Sequence, residues 1–186
     1  MSLLLRLGPM LCAALLAACA TTPLERTAET APPFELAGRI AVRYQDRAFS
    51  SALRWKQDAQ SDEIWLTAPL GQTIAYLLAD ASGATLTAAD QKQYRARSIE
   101  SLTRSALGWS FPVAGMRYWV LGQPAPGRDV TAVERGDGGR ITRFRQDNWQ
   151  VTFNYDSPRN TPSRLDIAGS EAEIRFVIDS FALAQQ

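Results

Sequence analysis

From Phe34 onward, apolar and polar side chains alternate with a period of two, the spacing that sends successive residues to opposite faces of a strand. Phe34, Leu36, Gly38, Ile40, Val42 and Tyr44 fall on one side, and Glu35, Ala37, Arg39, Ala41 and Arg43 on the other. The pattern resumes with Phe49, Ser51, Leu53 and Trp55 against Ser50, Ala52, Arg54 and Lys56, after a turn expected at Asp46-Arg47. Segments 64–66, 72–79 and 84–88 continue it, with turns at Ala68-Pro69-Leu70-Gly71 and at 80–83. The first half of the chain thus predicts an antiparallel meander.

The period then changes. Ser98 is a helix N-cap candidate ahead of Ile99, Leu102, Ala106 and Leu107, which share one helical face, and Gly108 ends the segment. A second helix is expected over 110–122, with Pro112 in its first turn, a stripe of Val113, Met116, Trp119 and Val120, and a stop at Gly122 and Pro124. Strands return at 130–134, 140–145, 150–155, 164–168 and 173–178, separated by Gly136-Asp137-Gly138-Gly139, Asp147-Asn148, the proline-bearing stretch 158–162 and Gly169-Ser170. The fold class that follows is mainly β with α: about ten or eleven short strands in a curved antiparallel sheet, covered by two or three short helices. Helices laid over the apolar face of such a sheet enclose a hydrophobic cavity or complete a solid core, and periodicity does not separate the two.

The residues before this domain have another purpose. Arg6 gives a positive start, the run from Leu11 to Leu16 is apolar but too short to span a bilayer, and Leu16-Ala17-Ala18-Cys19 places small residues ahead of a cysteine. This is the bacterial lipobox: residues 1–18 are expected to be cleaved and Cys19 to carry lipid, the alternative being a plain secretory signal cut at a small residue. Ala20 follows where aspartate would favour inner-membrane retention, so outer-membrane localisation on the periplasmic side is expected. Residues 19–33 then read as the lipidated cysteine with a flexible tether, and 34–186 as one domain. Fourteen tether residues reach at most about 45–50 Å.

Composition removes several function classes. The 20 Lys and Arg against 19 Asp and Glu become balanced once Arg6 leaves, which argues against nucleic acid. With no histidine, His-dependent triads and His-ligated metals are excluded. Of the two cysteines, Cys12 lies in the leader and Cys19 is the lipid acceptor, leaving no intramolecular disulfide to expect. A hydrolase built on the neighbouring acids Asp62 and Glu63 lacks support, because adjacent residues of a strand face opposite ways and no Gly-x-Ser-x-Gly elbow occurs.

Four pieces occur in an order and spacing that resemble the LolB family of outer-membrane lipoprotein receptors: Arg54-Trp55-x-Gln57, Ala68-Pro69-Leu70-Gly71, Trp119-Val120-Leu121-Gly122-Gln123-Pro124 and Gln146-Asp147-Asn148-Trp149-Gln150-Val151. The resemblance implies a half-barrel that accepts acylated lipoprotein cargo from the periplasmic carrier LolA and places it in the outer-membrane bilayer, as a monomer and with no cofactor beyond the covalent lipid on Cys19. It makes Pro69, Leu70 and Gly71 a protruding membrane-insertion loop. The expected acyl-chain lining is Ile40, Val42, Leu53, Trp55, Ile64, Leu66 and Leu77, with Trp149, Val151 and Phe153 opposite and Leu102, Leu107, Met116 and Val120 in a lid. Trp119 and Trp149 are read first as large core or lid side chains. Arg39, Arg43 and Arg54 read as a solvated sheet face or a docking surface, and Asp62, Glu63 and Asp90 as rim acids suited to a basic carrier. The chain departs from the family pattern in that only the proline-bearing tether, and no long polar helix, precedes Phe34. The competing reading is a structural or accessory outer-membrane lipoprotein with a filled core.

Overall fold

The structure, a computed structural model, describes residues 31–156 and 158–184. The expected leader, Cys19 and most of the tether lie outside the described residues. Ala31 is already buried, and the carbonyl of Pro33 accepts from Ala184 N, so the ends of the described domain are tied together.

Six strands come first: β1 (Phe34–Tyr44), β2 (Arg47–Gln57), β3 (Asp62–Thr67), β4 (Thr73–Asp80), β5 (Gly83–Ala88) and β6 (Gln93–Ala96). Two helices follow, α1 (Ile99–Leu107) and α2 (Val113–Trp119), and then β7 (Val130–Arg135), β8 (Ile141–Gln146), β9 (Trp149–Asn154), β10 (Arg164–Ala168) and β11 (Ala172–Leu183). The predicted strands are all present. β6 was not foreseen, because Gln93, Tyr94 and Arg95 are exposed and carry no alternation to read. The first turn falls at Gln45-Asp46, one residue before the expected position, with Gln45 in the left-handed region at φ 51°.

All eleven strands form one antiparallel sheet in the order β6-β5-β4-β3-β2-β1-β11-β10-β9-β8-β7. The two meanders therefore meet at its centre, where β1 pairs with β11 over its full length. Gly38 sits at the register shift in that pair, and a Cβ there would lie 2.0 Å from the carbonyl oxygen of Val177, so no other residue permits the approach. The strand order also decides where the helices go. β6 and β7 are the opposite edges of the sheet, and the chain between them must cross from one edge to the other. Residues 97–129 make that crossing, carrying α1 and α2 over the concave apolar face.

The helices start and stop where their caps dictate. The Ser98 hydroxyl accepts from Ser101 N while Ser101 Oγ accepts from Ser98 N, and Gly108 closes α1 at φ 88°. α2 is shorter than expected, beginning at Val113. The N–H of Phe111 is taken by Thr103 Oγ1 at 2.9 Å, which holds the interhelical turn in an irregular path. No described helix is long and apolar enough to cross a membrane.

The candidate acyl face, its polar anchors and the β3–β4 loop

Period two places one set of side chains on the concave face of every long strand. Of the candidate lining residues, Ile40, Val42, Leu53, Trp55, Ile64, Leu77, Val151 and Phe153 are buried there, and Leu66 and Trp149 are half-buried at its margin. Phe144, Leu165, Ile167, Ile174, Phe176 and Ile178 belong to the same surface. These were missing from the expected lining although their alternation was legible, most clearly at Ile174, Phe176 and Ile178. Burying each large aliphatic or phenyl group contributes roughly 1.5–3 kcal/mol, so this face dominates the stability of the domain.

In this conformation the face is filled. Leu102 of α1 and Val113, Met116, Trp119 and Val120 of α2 pack into the concavity, and Trp119 meets Phe144 edge-on at 6.2 Å. The clefts beside the helices have mixed linings in which charged side chains stand among apolar ones. One of about 790 Å³ includes Asp80, Ser82, Arg97, Glu100 and Arg117, and another of about 440 Å³ includes Glu100, Arg128, Asp147 and Trp149. Leu107, expected to face inward with the lid residues, is instead 48% exposed. The last turn of α1 passes the rim of the sheet, where the Tyr44 hydroxyl donates to the carbonyl of Gly108, and the inward place on the helix goes to Thr103 instead.

Two buried polar groups fix α2 across the opening, and sequence periodicity identified neither role. Asp62, expected as an exposed rim acid, has a fully buried side chain. Its carboxylate accepts from Trp55 Nε1 at 3.0 Å and from Arg117 Nε at 3.2 Å, with the Arg117 Nη2 group completing a two-point ion pair. On the other wing, Gln146 Oε1 accepts from Trp119 Nε1 at 3.0 Å and from Ala125 N at 2.8 Å, while its Nε2 donates to Ala125 O at 2.9 Å. α2 is thus a strap held to β3 through Arg117 and to β8 through Trp119. Only polar groups with matched partners are tolerated at such depth, so each anchor also selects one seating of the helix.

The loop between β3 and β4 is the most exposed apolar feature described. Gly71 N donates to Ala68 O at 2.8 Å and Ala68 N to Gln72 O at 2.8 Å, closing a tight turn with Pro69 second and Leu70 third. Gly71 takes φ 83°, a conformation strained for side-chain-bearing residues. The turn is satisfied by its backbone alone, and the Leu70 side chain stands out at 91% exposure.

On the convex face, Arg39 pairs with Asp179 at 3.0 Å, Arg43 with Glu173 at 3.6 Å and Arg54 with Glu35 at 3.3 Å, which fits the solvated-face reading. Of the other expected rim acids, Glu63 accepts from the Tyr76 hydroxyl at 2.8 Å and Asp90 pairs with Lys92 at 2.7 Å.

Residues 32–181 match the family model described as outer membrane lipoprotein LolB. A protein of Nitrosomonas europaea named outer-membrane lipoprotein LolB is 37% identical, the match covering 86% of this chain and 77% of that protein. One of the same name from Thiobacillus denitrificans is 36% identical, over 83% of this chain and 82% of its own. Among solved structures, an outer membrane lipoprotein-sorting protein domain from Vibrio parahaemolyticus has the same fold at 11% identity and TM-score 0.50, covering 84% of this chain and 87% of that one. A DUF1329 family protein from Desulfovibrio piger aligns with TM-score 0.53 at 8% identity, also over 84% of this chain and 87% of that one. A match over most of the described domain, with relatives above one-third identity along most of their length, places this chain in the LolB family of outer-membrane lipoproteins.

Proposed function

We propose that the protein accepts acylated lipoproteins from a LolA-like periplasmic carrier onto its concave face and inserts them into the inner leaflet of the outer membrane, itself anchored there by lipid on Cys19. The observation that carries the reading is a wide apolar sheet face covered, among the described residues, by two short helices of nine and seven residues. Withdrawal of α2 takes Trp119 from Phe144 and Arg117 from Asp62, opening a surface of hydrocarbon character able to receive acyl chains. No cofactor or nucleotide enters this reading.

The energetics favour handover over release. At about 0.8 kcal/mol per methylene, a triacyl anchor with some forty methylenes costs on the order of 30 kcal/mol to expose to water. Cargo must pass from one apolar surface to the next, and net direction requires each acceptor, ending with the bilayer, to hold the chains more tightly than its donor. Leu70 fits the last step. A single leucine entering the bilayer contributes only about 1.5–3 kcal/mol, enough for repeated contact without permanent insertion.

Transfer of a radiolabelled lipoprotein from carrier to protein to liposomes tests the reading. Leu70→Glu is expected to accept cargo but to leave it bound. Normal insertion by that variant removes Leu70 from the mechanism, and failure of the wild-type protein to take cargo from the carrier sinks the whole reading. Exclusion of a fluorescent acyl probe, even with α2 released, would favour a structural lipoprotein with a permanently filled core.

A further inference from the structure

The convex face of the sheet is not uniform. On β1, β10 and β11 its outward positions carry a lattice of ion pairs, Arg39 with Asp179, Arg43 with Glu173 and Arg175 with Asp166. The β3–β4 hairpin breaks that rule. Residues 64–79 contain no charged side chain, and the outward positions hold Trp65, Ile74, Tyr76 and Leu78, all half-buried, while Ile64, Ala75 and Leu77 point into the core. Trp65 and Tyr76 stack at 5.3 Å, and the guanidinium of Arg54 lies 5.4 Å over the indole at the border of the patch. The fold does not need these side chains, because the hairpin's inner face already supplies its share of the core.

We propose that this outward face, Trp65, Ile74, Tyr76 and Leu78, lies against the phospholipid bilayer and extends the Leu70 contact from a single side chain to the whole hairpin. The proposal rests on the reading of the protein as an inserter of lipoproteins. Three features select a bilayer as the occupant. The patch is continuous through the turn with Leu70, the most exposed apolar residue described. Residues 64–79 bring no ion out of water, and the bordering carboxylate, Glu63 opposite Leu78, lies at the end of the hairpin away from Leu70 and accepts from the Tyr76 hydroxyl. Indole and phenol rings, apolar bodies with one polar tip, suit the boundary between headgroups and hydrocarbon.

The test uses the full-length lipidated protein in phosphatidylethanolamine and phosphatidylglycerol vesicles containing phospholipid brominated near the headgroup end of its chains. Trp55, Trp109 and Trp119 are buried and shielded. Bromolipid is expected to quench a component of the emission that disappears in Trp65→Phe, while Ile74→Ser still accepts lipoprotein from the carrier but inserts it more slowly. A nitroxide attached after Ile74→Cys gives a reading that leaves Trp65 in place, and greater relaxation by oxygen than by an aqueous nickel complex is the expected result. Equal quenching of wild type and Trp65→Phe, together with a water-exposed nitroxide and normal lipoprotein insertion by the wild type, overturns this proposal and leaves the proposed function standing. Protection of Trp65 from aqueous acrylamide only when the carrier is added, with no quenching by bromolipid, overturns it in favour of carrier docking.

Discussion

Arg117 of α2 forms an ion pair with Asp62 of β3, a carboxylate with no solvent exposure whose other partner is the indole N–H of Trp55. The pair joins the covering helix to one wing of the sheet, and its two sides are unequal: the Arg117 side chain is 35% exposed and the Asp62 side chain 0%. Lifting α2 returns the guanidinium easily to water and strands the carboxylate. The closed position is favoured by that asymmetry.

Arg117→Met should therefore destabilise the domain, toward the lower end of the roughly 3–5 kcal/mol typical of a buried charge deprived of its partner, because water reaches the vacated side. Adding Asp62→Asn to it should recover most of the loss, since the amide still accepts from Trp55. Urea unfolding of the two single variants and the double variant measures the coupling. Additive losses would mean the pair does not act as a unit.

Gln146→Leu should cost at least about 2–3 kcal/mol, because Trp119 Nε1 and both backbone groups of Ala125 lose buried partners. The readout is thermal unfolding combined with acyl-probe uptake. Loosening of this anchor frees the β8 end of α2, so uptake should rise as stability falls. A fall in both would place the strap elsewhere.

Gly38→Ala should be among the most damaging single-methyl additions in the chain. Its Cβ would meet the Val177 carbonyl oxygen at 2.0 Å, in the strand pair that joins the two meanders. Overpacking of this kind costs about 1–3 kcal/mol or more, since backbone on both sides must shift. Calorimetry decides the matter. By contrast, Leu107→Ser should stay within about 0.5 kcal/mol of wild type, because that side chain already faces solvent.

Tyr76 predicts an alkaline signature. Burial, then its hydrogen bond to Glu63, raises its pKa from 10.0 to about 12. Its folded-state pKa lies above the unfolded value, so the stability it contributes is complete below pH 10 and is lost as pH rises through 12. Tyr76→Phe should flatten that part of the stability profile, as measured by denaturant unfolding across the interval. An unchanged slope would assign the effect to other groups.

Much of this protein was legible in its sequence because a strand writes its two faces into alternate positions. The inner face of β1 and β2, the N-cap at Ser98, the stop at Gly108, the Asp147-Asn148 turn and the Pro69-Leu70-Gly71 loop all follow from local rules, since each depends only on residues a few positions apart. The short edge strand β6 escaped, having no buried side to betray it. Leu107 misled because helical spacing reports a shared face and not how far the sheet beneath it extends.

What the sequence by itself determined is the amphipathic alternation, the places where helices replace strands, a chemistry without histidine or an expected disulfide, and one leucine set in a turn that does not need it. Only the tertiary structure decided that β1 and β11 meet at the centre and send α1 and α2 across the opening. It also decided that Asp62 and Gln146 face inward, to Arg117 and Trp119, rather than outward to a partner. The reason is separation along the chain. Arg117 lies 55 residues from Asp62 and Gln146 lies 27 from Trp119, and no local propensity records which distant donor will satisfy a buried acceptor.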